Sequence, residues 1–159
     1  MKFIDRSTDT WQAVPDTEAP APAAKRLLTL AQWQAVRATW PQDLPVGVAL
    51  PNTFDVEELG ADLARIALVA LEFPKWVDGR AYSQAHVLRA RLRFAGEVRA
   101  TGDVVVDMMP LLHRTGVDAV VLREGQRQSS AERALGFFPA GHYQGDVLQP
   151  QPHFAREAA

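Results

Sequence analysis

Hydrophobic and polar positions form a repeating strand-then-helix pattern from residue 45 onward. The short apolar runs "VGVAL", "IALVALEF", "GEVRATG" and "VDAVVLREG" predict four strands, and apolar residues at helical spacing follow each of them. The run "IALVALEF" is apolar throughout, as expected of a strand that is covered on both faces of a parallel sheet. Four such units predict parallel strands that are joined by right-handed crossovers.

Two α/β architectures fit these units. The first is a curled parallel sheet of about four βα units that resembles half of a TIM barrel, and the second is an open doubly wound sheet. Short repeats and the clipped junction "TGVDAVVL" favour the curled sheet. A half barrel would leave an open edge and an uncovered inner face, so this architecture also predicts a homodimer.

The N-terminal region has a different composition from the repeating units. The stretch "KFIDRSTDTWQAV" predicts a small β hairpin with a turn near "STDT", and "PDTEAPAPAAKR" has the Pro and Ala content of an extended linker. We therefore expect an N-terminal β arm and linker over residues 1–26 and a single α/β domain over residues 27–145. A flexible C-terminal tail is expected over residues 146–159.

Composition and charge narrow the functional classes. The chain has 159 residues, a formal net charge of -2 and no cysteine, so thiolate chemistry and a basic surface for nucleic acid are not expected. No apolar run approaches the length of a membrane helix, which predicts no membrane partner and a cytoplasmic location. The four histidines lack the spacing of metal ligands, so no metal site is predicted.

The loop "FPKWVDGRAYSQ" concentrates reactive side chains after the predicted strand "IALVALEF". Lys75 and Arg80 are candidates for holding an oxyanion, and Asp78 would either orient Arg80 or act as a general base. Lys75 and Asp78 are thus the candidate catalytic residues. Tyr82 would line the pocket, and Ser83 would begin the next helix and add its hydroxyl.

Neighbouring strand ends offer further candidate ligand-binding residues. Arg99 and Asp103 belong to the third predicted unit, and Arg123 and Glu124 follow the fourth strand. Because the carboxyl ends of parallel strands meet at one edge of a sheet, Arg99 and Asp103 are expected to converge on the loop. Gly102 and Asp103 are also expected to cap the third helix.

The same residues have a structural interpretation. An Asp-Gly pair is a common turn, Ser83 is an ordinary helix cap, and Asp78 with Arg80 would then only neutralise charge on a structured loop. Solvated helix faces are expected for the alternating arginines at positions 89, 91 and 93. Nucleotide-binding and hydrolase motifs are absent, so the residues alone name no reaction and no cofactor.

The segments "LEFPKWVDGRAYSQAHVLRARLRFAGEVRATGDVVVD" and "RTGVDAVVLREG" resemble a bacterial family of uncharacterised proteins. Genes of this family typically lie beside assimilatory sulfite reductase, and its members are often described as candidate oxidoreductases of sulfite reduction. The positions that match its pattern are Phe73, Pro74, Lys75, Asp78, Gly79, Arg80, Tyr82, Ser83, Arg89, Gly96, Glu97, Arg99, Gly102, Asp103, Gly116 and Asp118.

The resemblance implies a role in sulfur assimilation, although the family has no assigned catalytic residues. One expectation is an accessory protein of sulfite reduction that docks to sulfite reductase, assists assembly of its cofactors or mediates electron delivery. The other is a small-molecule enzyme or sensor that binds sulfite, sulfate or a phosphorylated metabolite at the carboxyl ends of the strands.

Overall fold

The computed structural model of the chain describes residues 1–137 and Val147. The seven strands are β1 (Lys2–Phe3), β2 (Gln12–Ala13), β3 (Arg26–Thr29), β4 (Val46–Leu50), β5 (Ile66–Phe73), β6 (Glu97–Gly102) and β7 (Ala119–Val120). The α-helices are α1 (Leu30–Val36), α2 (Arg80–His86), α3 (Met109–Arg114) and α4 (Gln128–Leu135), and a 3₁₀ segment over Val56–Arg65 connects β4 to β5. Apart from Val147, the predicted tail over residues 146–159 lies outside the described residues, as does His142.

The strands form one parallel sheet that curls into a half barrel, which confirms the predicted curled α/β architecture. From β3 to β7 each strand lies beside the strand that precedes it along the chain. Right-handed crossovers between strands added in this order place every connecting helix on the same, convex face of the sheet. The carboxyl ends of all strands therefore meet at one edge, as in a TIM barrel.

The N-terminal arm does not form the predicted hairpin. Strand β1 pairs in parallel with β7 at one edge of the sheet, whereas β2 pairs in parallel with β3 at the opposite edge. The registers place Lys2 beside Ala119 and Gln12 beside Arg26. The chain between β1 and β2 must therefore cross the whole sheet, which a hairpin prediction based on neighbouring sequence does not anticipate.

The main hydrophobic core lies between the sheet and the helices. Strand β5 directs Val69, Leu71 and Phe73 into this core, and α2 packs Ala81 and Ala85 against it. Each of these five side chains is buried. Removing this much apolar surface from water is the dominant stabilisation of an α/β layer.

The concave face of the sheet is crossed by residues 4–11, which we call the N-terminal strap. Asp9 of the strap lies 2.6 Å from the guanidinium of Arg99 in the middle of β6. Trp11 packs on Gly47 of β4, where an added Cβ would stand 3.0 Å from the indole ring. The strap thus covers part of the inner face that was expected to be uncovered, which weakens that reason for a homodimer; the homodimer itself stays a prediction.

Several helix boundaries differ from those expected. Helix α2 begins at Arg80 with Gly79 as its N-cap, so Ser83 lies inside the helix and does not cap it. Helix α4 shows the same feature, because its N-cap residue is Arg127 and the serines at positions 129 and 130 lie inside the helix. Short helices begin where backbone geometry allows, and a nearby serine is not sufficient to define that point.

The third helix accommodates Pro110 by starting late. A 3₁₀ turn over Val106–Met108 precedes α3, and Pro110 falls in the first turn of α3. At this place a missing backbone N–H costs nothing, because the first N–H groups of a helix have no intrahelical partner. The expectation that Asp103 would cap this helix was wrong. Its carboxylate instead accepts a hydrogen bond from the loop that follows β5.

Arg89 is a partly buried structural clamp and does not lie on a solvated helix face. Its guanidinium pairs with Asp118 and donates to the carbonyl oxygens of Gly116, Phe94 and Gly96. Its side chain is only 14% exposed. The clamp joins the π-helical end of α2, over Val87–Arg91, to the segments that precede β6 and β7.

Candidate functional site

The loop between β5 and α2 projects from the carboxyl edge of the sheet. We call residues 74–79 the Trp76 loop. A turn in which the Asp78 N–H donates to the Lys75 carbonyl at 2.9 Å reverses the chain, and α2 begins immediately afterwards. Trp76 is 53% exposed and Val77 is 64% exposed, so the tip of the loop presents two large apolar side chains to solvent.

Asp103 fastens the first half of the loop to the neighbouring strand end. Its carboxylate accepts the backbone N–H of Trp76 at 2.9 Å and a guanidinium N–H of Arg123 at 2.8 Å. The backbone N–H of Asp103 donates to the Phe73 carbonyl at 2.7 Å. The Trp76 N–H, helped by Arg123, lowers the pKa of the Asp103 carboxyl.

Gly102 permits this close approach of the two strand ends. Its φ angle is +90°, a conformation that glycine adopts at little cost, and a Cβ at this position would stand 2.4 Å from the carbonyl oxygen of Phe73. The end of β6 therefore lies directly against the end of β5. This contact puts Asp103 within reach of the Trp76 loop.

Asp78 and Arg80 fasten the second half of the loop to each other. The Arg80 Nε donates to Asp78 Oδ1 at 3.0 Å, and a terminal guanidinium nitrogen donates to Oδ2 at 2.7 Å. These bonds lower the pKa of the Asp78 carboxyl and raise the pKa of Arg80. A carboxylate held so firmly in its ionised form is a weak general base at neutral pH.

Two buried amides behind this ion pair were missed from the sequence. Gln84 of α2 donates to the carbonyl oxygens of Pro51 at 2.9 Å and of Phe54 at 2.8 Å, which ties the end of β4 to α2. Asn52 contributes to lowering the pKa of Asp78, although its buried Nδ2 makes no hydrogen bond of normal geometry. Neither residue stands in a recognisable motif, because their partners come from distant segments.

The remaining loop residues have separate surroundings. Tyr82 packs edge-on against Phe73 with ring centroids 5.1 Å apart, and burial raises the pKa of its phenol to about 12. Ser83 is exposed on α2, and Lys75 is exposed on the loop. Within residues 1–137 the ammonium group of Lys75 has neither a hydrogen bond nor an ion pair.

The structure does not bring Arg99 to the Trp76 loop. Its side chain lies on the concave face, where it donates to Glu97 at 2.9 Å and 2.7 Å and to Asp9 at 2.6 Å. The side chain is 3% exposed. Of the predicted ligand-binding residues, those that share the carboxyl edge around the Trp76 loop are Lys75, Asp78, Arg80, Tyr82, Ser83 and Asp103.

The side chains of the Trp76 loop are better suited to binding another molecule than to catalysis. Acid-base chemistry is poorly served, because Asp78 stays ionised and Tyr82 stays protonated near neutral pH. Across residues 1–137 no three His, Asp or Glu side chains come together in an arrangement that would hold a metal ion.

In the same part of the chain no helix is long and apolar enough to span a membrane.

These features define a half-barrel α/β protein with a loop at the carboxyl edge of its sheet that is hydrogen-bonded at both ends and exposes two apolar side chains. Residues 47–154 match the family described as bacterial protein of unknown function, DUF934, and the chain belongs to that family. No curated protein matches the chain significantly. Four positions that carried the resemblance meet in the Arg89 clamp, namely Arg89, Gly96, Gly116 and Asp118, which gives these four a structural role.

Proposed function

We propose that the protein is an accessory protein of assimilatory sulfite reduction that docks onto sulfite reductase through the Trp76 loop. The observation that supports docking is the exposure of Trp76 and Val77 on a loop that is clamped at both ends. The choice of sulfite reductase rests on the resemblance of the segments around this loop to the family encoded beside that enzyme.

A clamped loop suits docking for two physical reasons. Tryptophan is enriched among the few interface residues that carry most of the binding energy. A side chain on an ordered backbone also loses little conformational entropy when a partner binds. Asp103 and the Asp78–Arg80 pair provide this order before any partner arrives.

The charges around the Trp76 loop indicate what kind of partner surface would bind it. Lys75 has no ion pair within the described residues, and the side chain of Arg80 is 56% exposed. Lys75, a basic group without an ion pair beside an apolar anchor, favours a partner surface with an apolar pocket and acidic groups at its rim. We expect the docking surface of sulfite reductase to have this character.

The test compares two exposed apolar residues on different faces. Binding of the purified protein to purified sulfite reductase is measured by biolayer interferometry for the wild type, Trp76→Ala and Leu111→Ala. Leu111 is the matched control because it is 42% exposed on α3. We expect Trp76→Ala to weaken binding at least about tenfold and Leu111→Ala to leave it within about twofold.

Two results would contradict docking. The first is equal weakening by both variants, because the Trp76 loop would then have no special role. The second is absence of association together with normal reductase activity and cofactor content in a strain that lacks the gene. The second result would reject the accessory role itself, whereas the first would reject only the assigned surface.

The second candidate function is a small-molecule enzyme or sensor that binds an oxyanion at the Trp76 loop. Its supporting observation is that the loop carries the unpaired ammonium group of Lys75 and is directly followed by the exposed Arg80. Asp78 already occupies two donors of Arg80, which makes this candidate the weaker one. Thermal denaturation with sulfite, sulfate and phosphate tests it: stabilisation that Arg80→Ala abolishes supports it, and no shift with any anion rejects it.

A further inference from the structure

A separate cavity of about 370 Å³ lies at the carboxyl ends of β1 and β7. This volume falls within the range of small-molecule sites in proteins. Ile4, Val121 and Leu122 supply an apolar lining, and Arg6 and Glu124 supply charged groups. The cavity lies on the same edge of the sheet as the Trp76 loop but at its β1 end, and no function described above uses it.

The cavity forms because two adjacent chain segments diverge after a short pairing. The last bond between them runs from the Ile4 N–H to the Val120 carbonyl at 2.9 Å. Beyond that point Val121 bonds to Ala100 and so follows β6. The other segment turns at Asp5, whose carboxylate accepts the N–H and hydroxyl of Ser7, and continues into the N-terminal strap.

The charged groups of the cavity differ from those at the other strand ends. Asp78 pairs with Arg80 and Asp103 pairs with Arg123, so the charges around the Trp76 loop are largely compensated. In contrast, neither Arg6 nor Glu124 has an ion pair or side-chain hydrogen bond within residues 1–137. Within that part of the chain, one cation and one anion without any side-chain partner therefore border the same partly apolar cavity, and the carboxylate of Asp5, which is bonded only to Ser7, lines it as well.

The N-terminus of helix α4 adds to the attraction that Arg6 exerts on a negatively charged group. It begins at Gln128, which also lines the cavity. The first N–H groups of a helix lack intrahelical partners and favour a negative charge nearby. Together with Arg6, they would attract a carboxylate, whereas Glu124 and Asp5 would attract an ammonium group.

We propose that this cavity binds a free α-amino acid with an apolar side chain. The carboxylate of the ligand pairs with Arg6, its ammonium group pairs with Glu124, and its side chain packs on Ile4 and Leu122. A zwitterion satisfies both unpaired charges at once, while an ion of one sign leaves the opposite charge without a partner. This inference does not depend on the docking function of the Trp76 loop.

Calorimetric titration of the full-length protein tests the proposal. The probes are L-leucine, L-methionine and L-phenylalanine, with leucinamide and 4-methylpentanoate as analogues that each keep one charge of leucine. We expect at least one amino acid to bind with a dissociation constant of about 1 mM or lower and both analogues to bind at least about tenfold more weakly. No heat of binding from the three amino acids at about 10 mM would overturn the proposal.

Two variants and one control locate the site. Arg6→Gln and Glu124→Gln should each weaken binding of the amino acid at least about tenfold. Arg127→Gln removes a nearby exposed arginine that does not line the cavity and should leave binding within about twofold. Unchanged binding in Arg6→Gln would place the ligand elsewhere and reject this cavity, and Trp76→Ala should have no effect because the loop is a separate surface.

Discussion

The carboxylate of Asp9 and the guanidinium of Arg99 lie 2.6 Å apart, although 90 positions separate them along the chain. Asp9 belongs to the N-terminal strap, and Arg99 is buried in the middle of β6. A buried guanidinium needs an anionic partner because removing its charge from water is costly. This pair therefore anchors the strap to the concave face of the half barrel.

Replacing Asp9 by asparagine should lower the free energy of unfolding by about 1–2 kcal/mol, because Arg99 then keeps only the charge of Glu97. Urea unfolding monitored by circular dichroism measures the change. Glu57→Gln is the control, since Glu57 pairs with Arg91 on the surface and should cost less than about 0.5 kcal/mol. Equal costs for the two variants would show that the strap is not anchored by this pair.

Replacing Gly102 by alanine should destabilise the protein by about 2–4 kcal/mol, because the new Cβ would collide with the Phe73 carbonyl in addition to straining the backbone. Thermal and urea unfolding measure the loss. Gly125 has a similar φ angle of +80°, but a Cβ there would meet nothing within 4 Å. Gly125→Ala should therefore cost only about 1 kcal/mol, and a comparable loss in both variants would contradict the collision.

Asp103 should make the stability of the protein dependent on pH in acid. Its pKa is lowered in the folded state, so its contribution is fully present above the unfolded value of about 3.9 and is lost as pH falls through the folded value. Asp103→Asn should therefore unfold at lower urea concentration than the wild type at pH 7. The difference between the two proteins should shrink below about pH 4, and a difference that is independent of pH would contradict this mechanism.

Tyr82 should affect stability in alkali. Burial raises its pKa to about 12, so the neutral phenol favours the folded state up to about pH 10 and this contribution is lost as pH rises toward 12. Because the ring is only half-buried, we expect a loss of about 1–2 kcal/mol. Tyr82→Phe keeps the ring contact with Phe73 and should lack this component; identical alkaline profiles for wild type and variant would contradict the assignment.

Local patterns were sufficient to predict the central sheet. The apolar runs that became β4 and β5 were recognised because a covered parallel strand excludes polar side chains from nearly every position. Strand β6 was recognised although polar residues alternate with Val98 and Ala100 along it. The spacing of the units fitted both a curled and an open doubly wound sheet, and the short repeats and the clipped junction favoured the curled sheet that the structure shows. The N-terminal hairpin was wrong because pairing of β1 and β2 depends on which distant strand offers a free edge, and short strands carry no such information.

The candidate site was predicted only in part, for a related reason. The Trp76 loop was located because six consecutive residues after a buried strand carry its features. The environment of Arg99 was not predicted, because its partner Asp9 lies in the N-terminal strap, far away along the chain. Arg89 was placed on a solvated face for the same reason, because its partner Asp118 is 29 positions away.

The sequence by itself determined the class of the fold, since the alternation of apolar strands and amphipathic helices is a local property with two fixed periods. It also determined that a loop with several polar side chains would stand at the carboxyl end of a parallel strand. Tertiary structure alone decided which charges are paired, which apolar residues remain exposed and where a cavity opens. These features depend on segments that are far apart in the chain, and only their packing against one another brings Asp9 to Arg99 or Arg6 to Glu124.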